Sequence, residues 1–470
     1  MSRLYLFNPE HDLCLANGGA HYVAPEGALR IAGQHADVMR YLYGDDVCAV
    51  TAAEVAEVLT RRPFSDDAPT IVPWGWDAAL RQRIAACGVA ETTLPDMAYL
   101  AQLRRLQHRA TLLPLQPESR LVTKVEEVDM MLRSRPQMVL KAPWSGSGRG
   151  IRWVKERMSQ QDRMWMQRVV NQQQGVIAEP RREVQLELAL EYEVRRHGDG
   201  GALFFRGLSL FESRQGVYRG NWFIDDDAIV QRVAGLTDAL PATRTVVEGW
   251  LRRTVAPHYR GPLGVDLYVD GKRRLHVSEL NLRHTMGMVA HTLLQRHPAW
   301  AGCFGSPLAL HRAVLSIGSN MGNRAALLRG AVHALSERVG PVVRRSPVVE
   351  TAPWGFSAER NFLNQVVVVD TALSAEQVLQ SALAIEATMG RRRDYDPLHP
   401  PESHVYQSRP IDIDIIFFDD TTMDTPLLQI PHPRMHLRRF VLEPLCALMP
   451  GYEHPALHRT VRQMLDDLNE

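Results

Sequence analysis

The order of predicted elements after residue 307 constrains the fold of this chain more than any other feature. The predicted elements are, in order, a strand at 313–317, a helix at about 322–338, strands at 341–351 and about 363–370, a helix at 374–389 and a strand at 409–418. A helical C-terminal end follows them. A β-α-β-β-α-β order is typical of a ferredoxin-like sheet with its helices on one face.

A punctuated stretch, HPAWAGCFGSP (297–307), separates this region from the one before it. It has two Pro and two Gly between helical patterns, which is typical of a linker or a domain edge. The chain has 470 residues, which suggests about three domains, or two if one of them is large. We therefore place the boundary near 307, with one domain over 1–307 and another over 308–470.

The first domain has two kinds of pattern. It begins with the strand RLYLFN and continues with alternating helices and strands, which predicts an α/β part over about 1–100. From about 137, strands with period-2 alternation follow one another as in hairpins, which favours antiparallel pairing. We therefore predict a two-part protein of mixed α/β and α+β class, with a ferredoxin-like α/β sandwich at the C-terminus.

Charge, cysteine usage and hydropathy disfavour nucleic-acid partners, membrane partners and an oxidising compartment. With 54 Lys and Arg against 53 Asp and Glu, the chain has no overall field for nucleic acid or an anionic membrane. Its five cysteines form no C-x-x-C pair, which fits a reducing cytoplasm. The N-terminus is not a signal peptide, and no apolar run approaches 18 residues. We expect a cytoplasmic protein without nucleic-acid or membrane partners.

The segment SRPIDIDIIFFDD (408–420) carries the sharpest chemical signal. In a strand, residues two apart share a face, so Asp412 and Asp414 would point together while the isoleucines between them face a core. Two neighbouring carboxylates repel each other and call for a cation, and Mg²⁺ binds such oxygen ligands together with phosphates. The alternative is a half-exposed strand with acidic residues on its solvent-exposed face.

Arginines crowd the same region and favour the first interpretation. They are Arg391, Arg392, Arg393, Arg409, Arg434, Arg438 and Arg439. Arginine makes bidentate contacts with phosphate, and carboxylates with Mg²⁺ among arginines are expected for phosphoryl-type transfer. RNA binding, which ferredoxin-like sheets often perform, is disfavoured by the paired aspartates and by the lack of an aromatic RNA-binding run on a strand.

Six ordered segments carry a family resemblance. They are SIGSN (316–320), ETAPWG (350–355), NFLNQVV (361–367), IEATMGRRR (385–393), SRPIDIDII (408–416) and IPHPRMHLRRFVLEPL (430–445). Together they resemble 6-hydroxymethyl-7,8-dihydropterin pyrophosphokinase, an enzyme of folate biosynthesis, over about 313–465. The resemblance implies transfer of diphosphate from ATP to the pterin hydroxymethyl group, with release of AMP.

The resemblance also implies roles for individual residues. Asp412 and Asp414 would hold two Mg²⁺ ions and would form the catalytic set with Arg391 and Arg393. The expected ATP contacts are Arg391, Arg393, Arg409, Arg438, His432 and Glu386. The expected pterin contacts are Phe362 and Phe440, which would sandwich the ring, Asn364, which would read its edge, and Trp354. Core packing remains an alternative for each Phe, and we expect the long 393–407 segment to be a lid over ATP.

A second polar constellation lies in the first domain. VLKAPWSGSGRGIRWV (139–154) places Lys141 before a Gly/Ser-rich turn whose backbone could cradle phosphates, although a simple hairpin is an alternative. Asp266 lies on one strand, and Glu279, Asn281 and Arg283 share a face of the next. These acids and the amide predict a second Mg²⁺ site.

This pattern resembles the ATP-grasp superfamily over about 100–300. The resemblance implies that Lys141 binds ATP phosphates, that a glycine cover lies over them, and that Arg283 contacts an acyl-phosphate or substrate. The cover would be Gly146, Gly148 and Gly150, and the metal ligands Asp266, Glu279 and Asn281. Glu179 would meet the nucleotide, and 8–19 would face a substrate. The domain would be a carboxylate–amine ligase of unknown substrates; the alternative is a non-catalytic nucleotide-binding module.

Overall fold

The computed structural model describes residues 3–44, 47–61, 70–145, 150–197, 200–393 and 407–468. The chain divides into two compact units. The first runs to Leu293 and includes Phe304–Leu308, and the second contains Leu294–Cys303 and Ala309–Glu470. Within the described ranges, no helix combines the length and the apolar character that a membrane crossing requires.

The first unit begins with a three-stranded parallel sheet in the order β2-β1-β3. The strands are β1 (Arg3–Phe7), β2 (Cys48–Thr51) and β3 (Thr70–Pro73). The helices of this part are α1 (His11–Asn17), α2 (Glu26–Gln34), α3 (Val38–Tyr43), α4 (Val55–Arg61), α5 (Ala78–Ala86) and α6 (Met97–Leu106). Four consecutive residues of β1, from Leu4 to Phe7, are buried, as expected for a parallel strand covered on both faces. The α/β prediction for this part is confirmed.

A four-stranded antiparallel sheet follows, in the order β4-β7-β5-β6. Its strands are β4 (Arg120–Val122), β5 (Gln137–Lys141), β6 (Ile151–Lys155) and β7 (Val176–Pro180), and its helices are α7 (Val125–Ser134) and α8 (Gln160–Gln173). Helix α8 begins at a capping box in which Ser159 and Asp162 bond each other's backbone N–H groups. This cap orients α8 so that Trp165, Met166 and Val169 enter the core of the sheet.

The largest sheet of the first unit has six antiparallel strands in the order β12-β11-β8-β9-β10-β13. They are β8 (Val184–His197), β9 (Gly200–Arg214), β10 (Val217–Trp222), β11 (Gly261–Asp270), β12 (Leu275–Asn281) and β13 (Phe304–Gly305); the helices are α9 (Asp226–Ala234), α10 (Leu240–Thr254) and α11 (Met286–Arg296). Leu188, Leu190 and Tyr192 of β8 enter a core with α10. The residues that alternate with them, Glu187, Ala189 and Glu191, face a pocket instead. The predicted period-2 alternation is thus confirmed.

The second unit continues the chain through β14 to α15. Its elements are β14 (His311–Ser319), α12 (Arg324–Arg338), β15 (Val342–Arg345), β16 (Val349–Thr351), β17 (Phe362–Thr371), α13 (Ala375–Thr388), β18 (Asp412–Phe418), β19 (Met423–Asp424), β20 (Gln429–Ile430), α14 (Arg439–Leu448) and α15 (Val461–Asp467). Short 3-10 helices of the chain lie at Glu91–Thr93, Arg109–Leu115, Pro298–Trp300 and Met435–Leu437.

The main sheet of the second unit is antiparallel in the order β15-β17-β14-β18, and β16 also pairs with β17. This topology confirms the ferredoxin-like prediction. The single strand predicted over 341–351 is divided into β15 and β16. Pro347 lies between them, and because proline has no N–H it cannot donate to a strand ladder.

Helices pack on the sheet in a way that leaves part of one face open. Val314, Val366 and Val368 share a core with α14 and α15. The prediction placed helices on one face only, whereas α14 and α15 cover part of the face left for solvent. Further along the same strands, the residues at even positions, such as Ser316 and Asn364, continue this face beyond the helices. A pocket forms there.

Candidate active sites

The open end of the second unit's sheet forms one wall of a pocket. Its lining residues are Ser316, Gly318, Thr351, Ala352, Trp354, Phe356, Phe362, Asn364, Arg409, Asp412, Asp414, Arg438 and Phe440. About 460 Å³ of atom-free space lies between the walls, part of it open to solvent. The structure therefore brings together all four residues predicted for the pterin and four of those predicted for metal and phosphate.

Asp412 and Asp414 lie on β18 and face this pocket. In the strand register they lie opposite Gly318 and Ser316 of β14. The isoleucines at 411, 413 and 415 are buried on the other side of the strand. The alternation read from the sequence therefore holds, because the apolar residues fix which face of β18 turns to the core.

Two arginines compensate the charge of Asp412. Arg391 donates to one carboxylate oxygen and Arg409 to the other. Burial by itself would raise the pKa of Asp412, but the Arg409 and Arg391 guanidinium groups lower it below the ordinary value. Asp412 is therefore ionised and available as an oxygen ligand at neutral pH.

Glu386 lies behind the aspartate strand and anchors the arginines. Its side chain is 1% exposed, and it accepts hydrogen bonds from Arg391 at 2.5 Å and from Arg393. The backbone N–H of Ile413 donates to the same carboxylate at 2.7 Å. Burial, with the nearby charge of Asp412, raises the pKa of Glu386 to about 7. Glu386 and Arg393 thus support the pocket from behind and are not among its lining residues.

Asp414 has partners of its own. Arg438 donates to its Oδ2 at 3.2 Å, and His432 Nε2 lies 3.9 Å from the same oxygen. Burial lowers the pKa of His432, and the Asp414 carboxylate opposes that shift. His432 is not a lining residue but lies directly beside one, so it is within reach of any group bound at Asp414.

Aromatic rings form the other side of the pocket. Phe362 is buried, Trp354 is 37% exposed, and Phe440 is partly buried at the start of α14. Arg438 lies 5.1 Å from the ring centroid of Trp354 and 5.6 Å from that of Phe440, and Arg409 lies 5.2 Å from that of Phe362. These contacts between guanidinium groups and aromatic rings hold the arginines and the rings at the same opening of the pocket.

Asn364 presents its amide to the pocket in a fixed orientation. Its Nδ2 donates to Thr351 Oγ1 at 2.9 Å, which leaves Oδ1 toward β14. A Cβ atom at Gly318 would lie 2.7 Å from that Oδ1. Only a glycine at 318 therefore leaves room for this amide, and the amide oxygen is available to N–H groups of a ligand.

The two aspartates fit Mg²⁺. Both are carboxylates on one wall of an arginine-rich pocket, and Mg²⁺ commonly takes one or two carboxylates together with substrate phosphates. Among the described residues, no group of three or more His, Cys, Asp or Glu side chains is arranged to hold a metal ion. Phosphate oxygens and water would therefore have to complete the coordination.

Several lining residues escaped the sequence analysis. Thr351 and Gly318 lie inside segments that were recognised as motifs, but which of their residues face the pocket depends on the strand register. Phe356 lies just outside such a segment and packs edge-on against Phe362 at 6.3 Å. The predicted lid over 393–407 falls outside the described residues from 394 to 406.

A second pocket lies in the first unit, on the polar face of the six-stranded sheet. About 1750 Å³ of atom-free space lies between its walls, part of it open to solvent. The predicted residues among its lining are Lys141, Glu179, Asp266, Glu279, Asn281 and Arg283. Residues from the four-stranded and the six-stranded sheet thus meet at one place, although they are far apart in sequence.

Lys141, Ser145 and Ile151, which flank the glycine turn, form one side of this pocket. The Lys141 Nζ forms an ion pair with Glu179 Oε1 at 2.6 Å. A Cβ atom at Gly150 would overlap the side chain of Ser145, so the end of the turn packs too closely for any other residue. The predicted Gly146 and Gly148 lie outside the described residues.

The predicted acidic set lies on the neighbouring strands β11 and β12. Asp266 is opposite Glu279 in the strand register, and Asn281 Nδ2 donates to Asp266 Oδ2 at 3.1 Å. Burial and the neighbouring Glu279 and Glu191 raise the pKa of Asp266 well above its ordinary value. Carboxylates crowded in this way are stabilised by a cation, so the set fits Mg²⁺.

Arg283 pairs with a residue of the N-terminal segment. Its Nε and Nη2 donate to the two oxygens of Asp12 at 3.2 and 3.1 Å. Burial by itself would raise the pKa of Asp12, but the Arg283 guanidinium lowers it. Asp12 and Pro9 line the pocket, so part of the 8–19 segment does face it.

Two residues of this site were not identified from the sequence. Arg109 donates to Glu279 Oε1 at 2.6 Å and to the carbonyl oxygen of Ala142 at 2.5 Å, which links the acidic strand to the glycine turn. No local pattern marks this arginine. Glu191 is 2% exposed and faces the pocket from β8. Its place in the alternating strand LELALEYEV was the available signal.

Comparisons with known proteins identify the second unit. The sequence profile of the 7,8-dihydro-6-hydroxymethylpterin-pyrophosphokinase (HPPK) family matches residues 314–450. A 2-amino-4-hydroxy-6-hydroxymethyldihydropteridine pyrophosphokinase of Porphyromonas gingivalis is 39% identical over 142 residues, 30% of this chain and 92% of that protein. The Bacillus subtilis protein of the same name is 34% identical over 145 residues, 31% and 81% of the two chains. The resemblance carried by the six ordered segments is confirmed.

One solved structure aligns with most of the chain. It is N5-carboxyaminoimidazole synthetase from Staphylococcus aureus complexed with ADP, which covers 82% of this chain and 96% of its own. The sequence identity is 12% and the TM-score is 0.37. At that level neither fold nor activity transfers from one protein to the other.

Proposed function

The chain belongs to the 7,8-dihydro-6-hydroxymethylpterin-pyrophosphokinase family, and from this premise we propose that its C-terminal domain, predicted over residues 308–470, transfers diphosphate from ATP to 6-hydroxymethyl-7,8-dihydropterin and releases AMP. One observation carries the proposal: Asp412 and Asp414 face a pocket that is also lined by the Asn364 amide, aromatic rings and arginines. That combination suits a flat polar heterocycle on one side and phosphates on the other. The reaction is a step of folate biosynthesis.

The pterin would lie between the rings of Phe362 and Phe440. Stacking on aromatic faces suits a flat heterocycle, and Trp354 at the entrance would close over it. The Oδ1 of Asn364 would accept an N–H from the pterin edge, because Thr351 already occupies the amide nitrogen. This arrangement selects a ligand with N–H donors along one edge.

The triphosphate would lie over the aspartates. Arg391 and Arg409 now hold the Asp412 carboxylate, and Arg438 holds that of Asp414. Two Mg²⁺ ions on Asp412 and Asp414 would neutralise negative charge on the phosphates. The arginines would then turn from the carboxylates to the phosphate oxygens, with Arg393 and Glu386 supporting them from behind and His432 beside them.

The transfer itself requires one bond to form and one to break. The hydroxymethyl oxygen of the pterin attacks the β-phosphorus in line, and the bond from that phosphorus to the oxygen of the leaving AMP breaks. The pterin hydroxyl loses a proton in this step. Asp414, whose side chain is 32% exposed toward the pocket, is our assignment for the group that accepts it.

AMP release tests this proposal directly. The full chain, supplied with ATP, Mg²⁺ and hydroxymethyldihydropterin, should release AMP in proportion to the pterin. Asp412→Ala should abolish the release, whereas Asp424→Ala, an exposed acid of the same unit, should not change it. AMP at background level in the unmodified chain, or full activity in Asp412→Ala, would exclude the assignment.

For the N-terminal domain, predicted over residues 1–307, we propose Mg²⁺–ATP-dependent ligation of a carboxylate to an amine, with substrates still to be identified. The pocket that joins Lys141, Asp266 and Glu279 supports this function. Lys141, Glu179 and the glycines at 146, 148 and 150 would hold the nucleotide. Asp266, Glu279 and Asn281 would hold Mg²⁺, and Arg283 would contact the acyl-phosphate.

The competing function is a nucleotide-binding module without catalysis. Lys141→Ala and Glu279→Ala would separate the two functions, because a module leaves ATP consumption unchanged in both. A metabolite screen for ATP hydrolysis by the full chain omits the pterin, so that the kinase is inactive. It should identify a substrate that stimulates ATP hydrolysis, and both variants should abolish this stimulation. The absence of nucleic-acid partners and the cytoplasmic location stay predictions from charge and cysteine usage.

A further inference from the structure

A buried carboxyl group, Glu191, lies in the first unit's pocket without an assigned role. Its side chain belongs to β8 and is 2% exposed. The Ser209 hydroxyl donates to its Oε1 and the Thr285 hydroxyl donates to its Oε2, each at 2.9 Å. Residues of three separate elements therefore converge on one side chain, which is a built arrangement and not a chance exposure of an acid.

Glycines surround this carboxyl group. In the strand register Gly264 lies opposite Glu191, and a Cβ atom there would lie 3.0 Å from Oε2. A Cβ atom at Gly287 would overlap Oε1. Larger residues at these positions would displace the carboxyl group, so the backbone keeps it at the pocket wall.

Among the described residues, no Lys, Arg or His side chain forms an ion pair with Glu191, and the Arg283 charge only partly opposes the effect of burial on its pKa. Both hydrogen-bond donors are neutral hydroxyls, whereas an ionised carboxylate has about four acceptor positions. Burial raises the pKa of Glu191 to about 7 in spite of these hydroxyls. An ionised carboxylate in such a place gains most from a cation that donates hydrogen bonds.

The surroundings favour an ammonium ion over a metal ion. Asp266, Glu279 and Asn281, on β11 and β12, are already assigned to Mg²⁺, whereas Glu191 lies on β8. A protonated amine needs fewer charged partners and supplies N–H donors directly. Thr285, which holds Glu191, is two residues from Arg283, so a bound amine would lie near the group assigned to the acyl-phosphate.

We propose that Glu191 is the residue that binds the ammonium group of the amine substrate in the first unit's pocket. This inference rests on the ligase function proposed above and names the chemistry of one of its substrates. Ser209 and Thr285 are positioning residues, since each touches the carboxyl group and holds it toward the pocket.

Calorimetric titration of the full chain tests the proposal. The protein is saturated with Mg²⁺ and a non-hydrolysable ATP analogue, then titrated with ammonium chloride, putrescine and each of the twenty amino acids. An N-acetylated counterpart of every amine that binds is the ligand control. At least one amine should bind while its acetylated form does not. Glu191→Gln should weaken the binding of that amine by about 30-fold. Nucleotide affinity and AMP release by the second unit should not change, which also shows that the variant folds.

The outcomes separate this proposal from the ligase function. If Lys141→Ala does not remove one nucleotide site from the full chain, the ligase function fails and the amine site fails with it. If the nucleotide binds as expected but no amine binds, or Glu191→Gln binds the amine unchanged, the Glu191 proposal alone is wrong. Weaker nucleotide binding in Glu191→Gln would assign the residue to the metal instead. If that variant does not fold, Thr285→Val, which removes one hydrogen-bond donor to Glu191, should still weaken binding of the amine.

Discussion

The carboxylate of Glu386 accepts a hydrogen bond from the backbone N–H of Ile413 at 2.7 Å. A helix residue thereby clamps β18 at the position between the two pocket aspartates. The same carboxylate holds Arg391 and Arg393, so one buried group fixes both the acidic strand and two of the arginines proposed to bind phosphate. Strand position and arginine position are therefore coupled through Glu386.

Removal of this carboxylate should destabilise the second unit. Glu386→Ala removes the acceptor of Arg393 and of the buried Ile413 N–H, and it leaves Arg391 with Asp412 as its only carboxylate partner among the described residues. We therefore expect the free energy of unfolding to fall by about 3–5 kcal/mol. Hydrogen-exchange mass spectrometry of β18 peptides in urea would measure the change. Glu337→Ala, an exposed acid of α12, is the matched control and should cost about 0–0.5 kcal/mol. Equal effects of the two variants would contradict the coupling.

The Thr351 hydroxyl should determine pterin affinity through Asn364. Thr351→Val keeps the shape of the side chain but removes the acceptor for Asn364 Nδ2, so the amide is free to rotate. We expect the KM for the pterin to rise about 5–10-fold, with a smaller change in kcat. Steady-state kinetics would show it. Thr351→Ser retains the hydroxyl and should behave like the unmodified chain; an equal loss in both variants would mean that the methyl group matters instead.

Gly318 should be intolerant of even one added carbon atom. The Cβ atom of Gly318→Ala would lie 2.7 Å from Asn364 Oδ1 and would push the amide away from the pterin edge. The KM for the pterin should rise about tenfold, the equivalent of ~1.4 kcal/mol. The control is Gly330→Ala in α12, where the added atom would lie 3.4 Å from the flexible end of Met389. Normal pterin affinity in Gly318→Ala would show that the amide does not read the ligand.

The stability of the chain should depend on pH through Glu191. Burial raises its pKa from 4.5 to about 7 in the folded chain. The neutral carboxyl group therefore contributes stability fully below pH 4.5, and this contribution is lost as the pH rises through 7. Relative to Glu191→Gln, the unmodified chain should lose about 3 kcal/mol of unfolding free energy between pH 4.5 and 8.

Urea unfolding of both proteins over that pH range measures this difference. Glu126→Gln, an exposed acid on α7, is the control and should show a difference from the unmodified chain that does not vary with pH. A flat difference for Glu191→Gln as well would mean that the group is ionised at little cost in the folded protein.

The second unit could be predicted far into its site because its signals are local. The alternation of Ile411, Asp412, Ile413 and Asp414 fixes which side chains face the core, whatever the rest of the sheet does. The aromatic and amide positions followed from ordered segments of a known family. The break at Pro347 was readable in principle, since proline interrupts a ladder, but the prediction ran one strand through it.

Contacts between distant segments could not be predicted in this way. Arg109 reaches Glu279 across 170 residues, and Asp12 reaches Arg283 across 271. Neither Arg109, in a short 3-10 helix, nor Asp12, in α1, carries a local signal, because such residues are common on any surface. Such pairs exist only once separate sheets are packed together.

The sequence by itself determined the ferredoxin-like order of the second unit, the shared face of its two aspartates and its family, because periodicity and motif order are properties of neighbouring residues. Only the tertiary structure decided that Glu386 supports the arginines from behind, that Thr351 and Gly318 set the Asn364 amide, and that Glu191 is enclosed by Ser209 and Thr285. The physical reason is that burial and hydrogen-bond partners depend on which surfaces meet, and a linear pattern does not specify that.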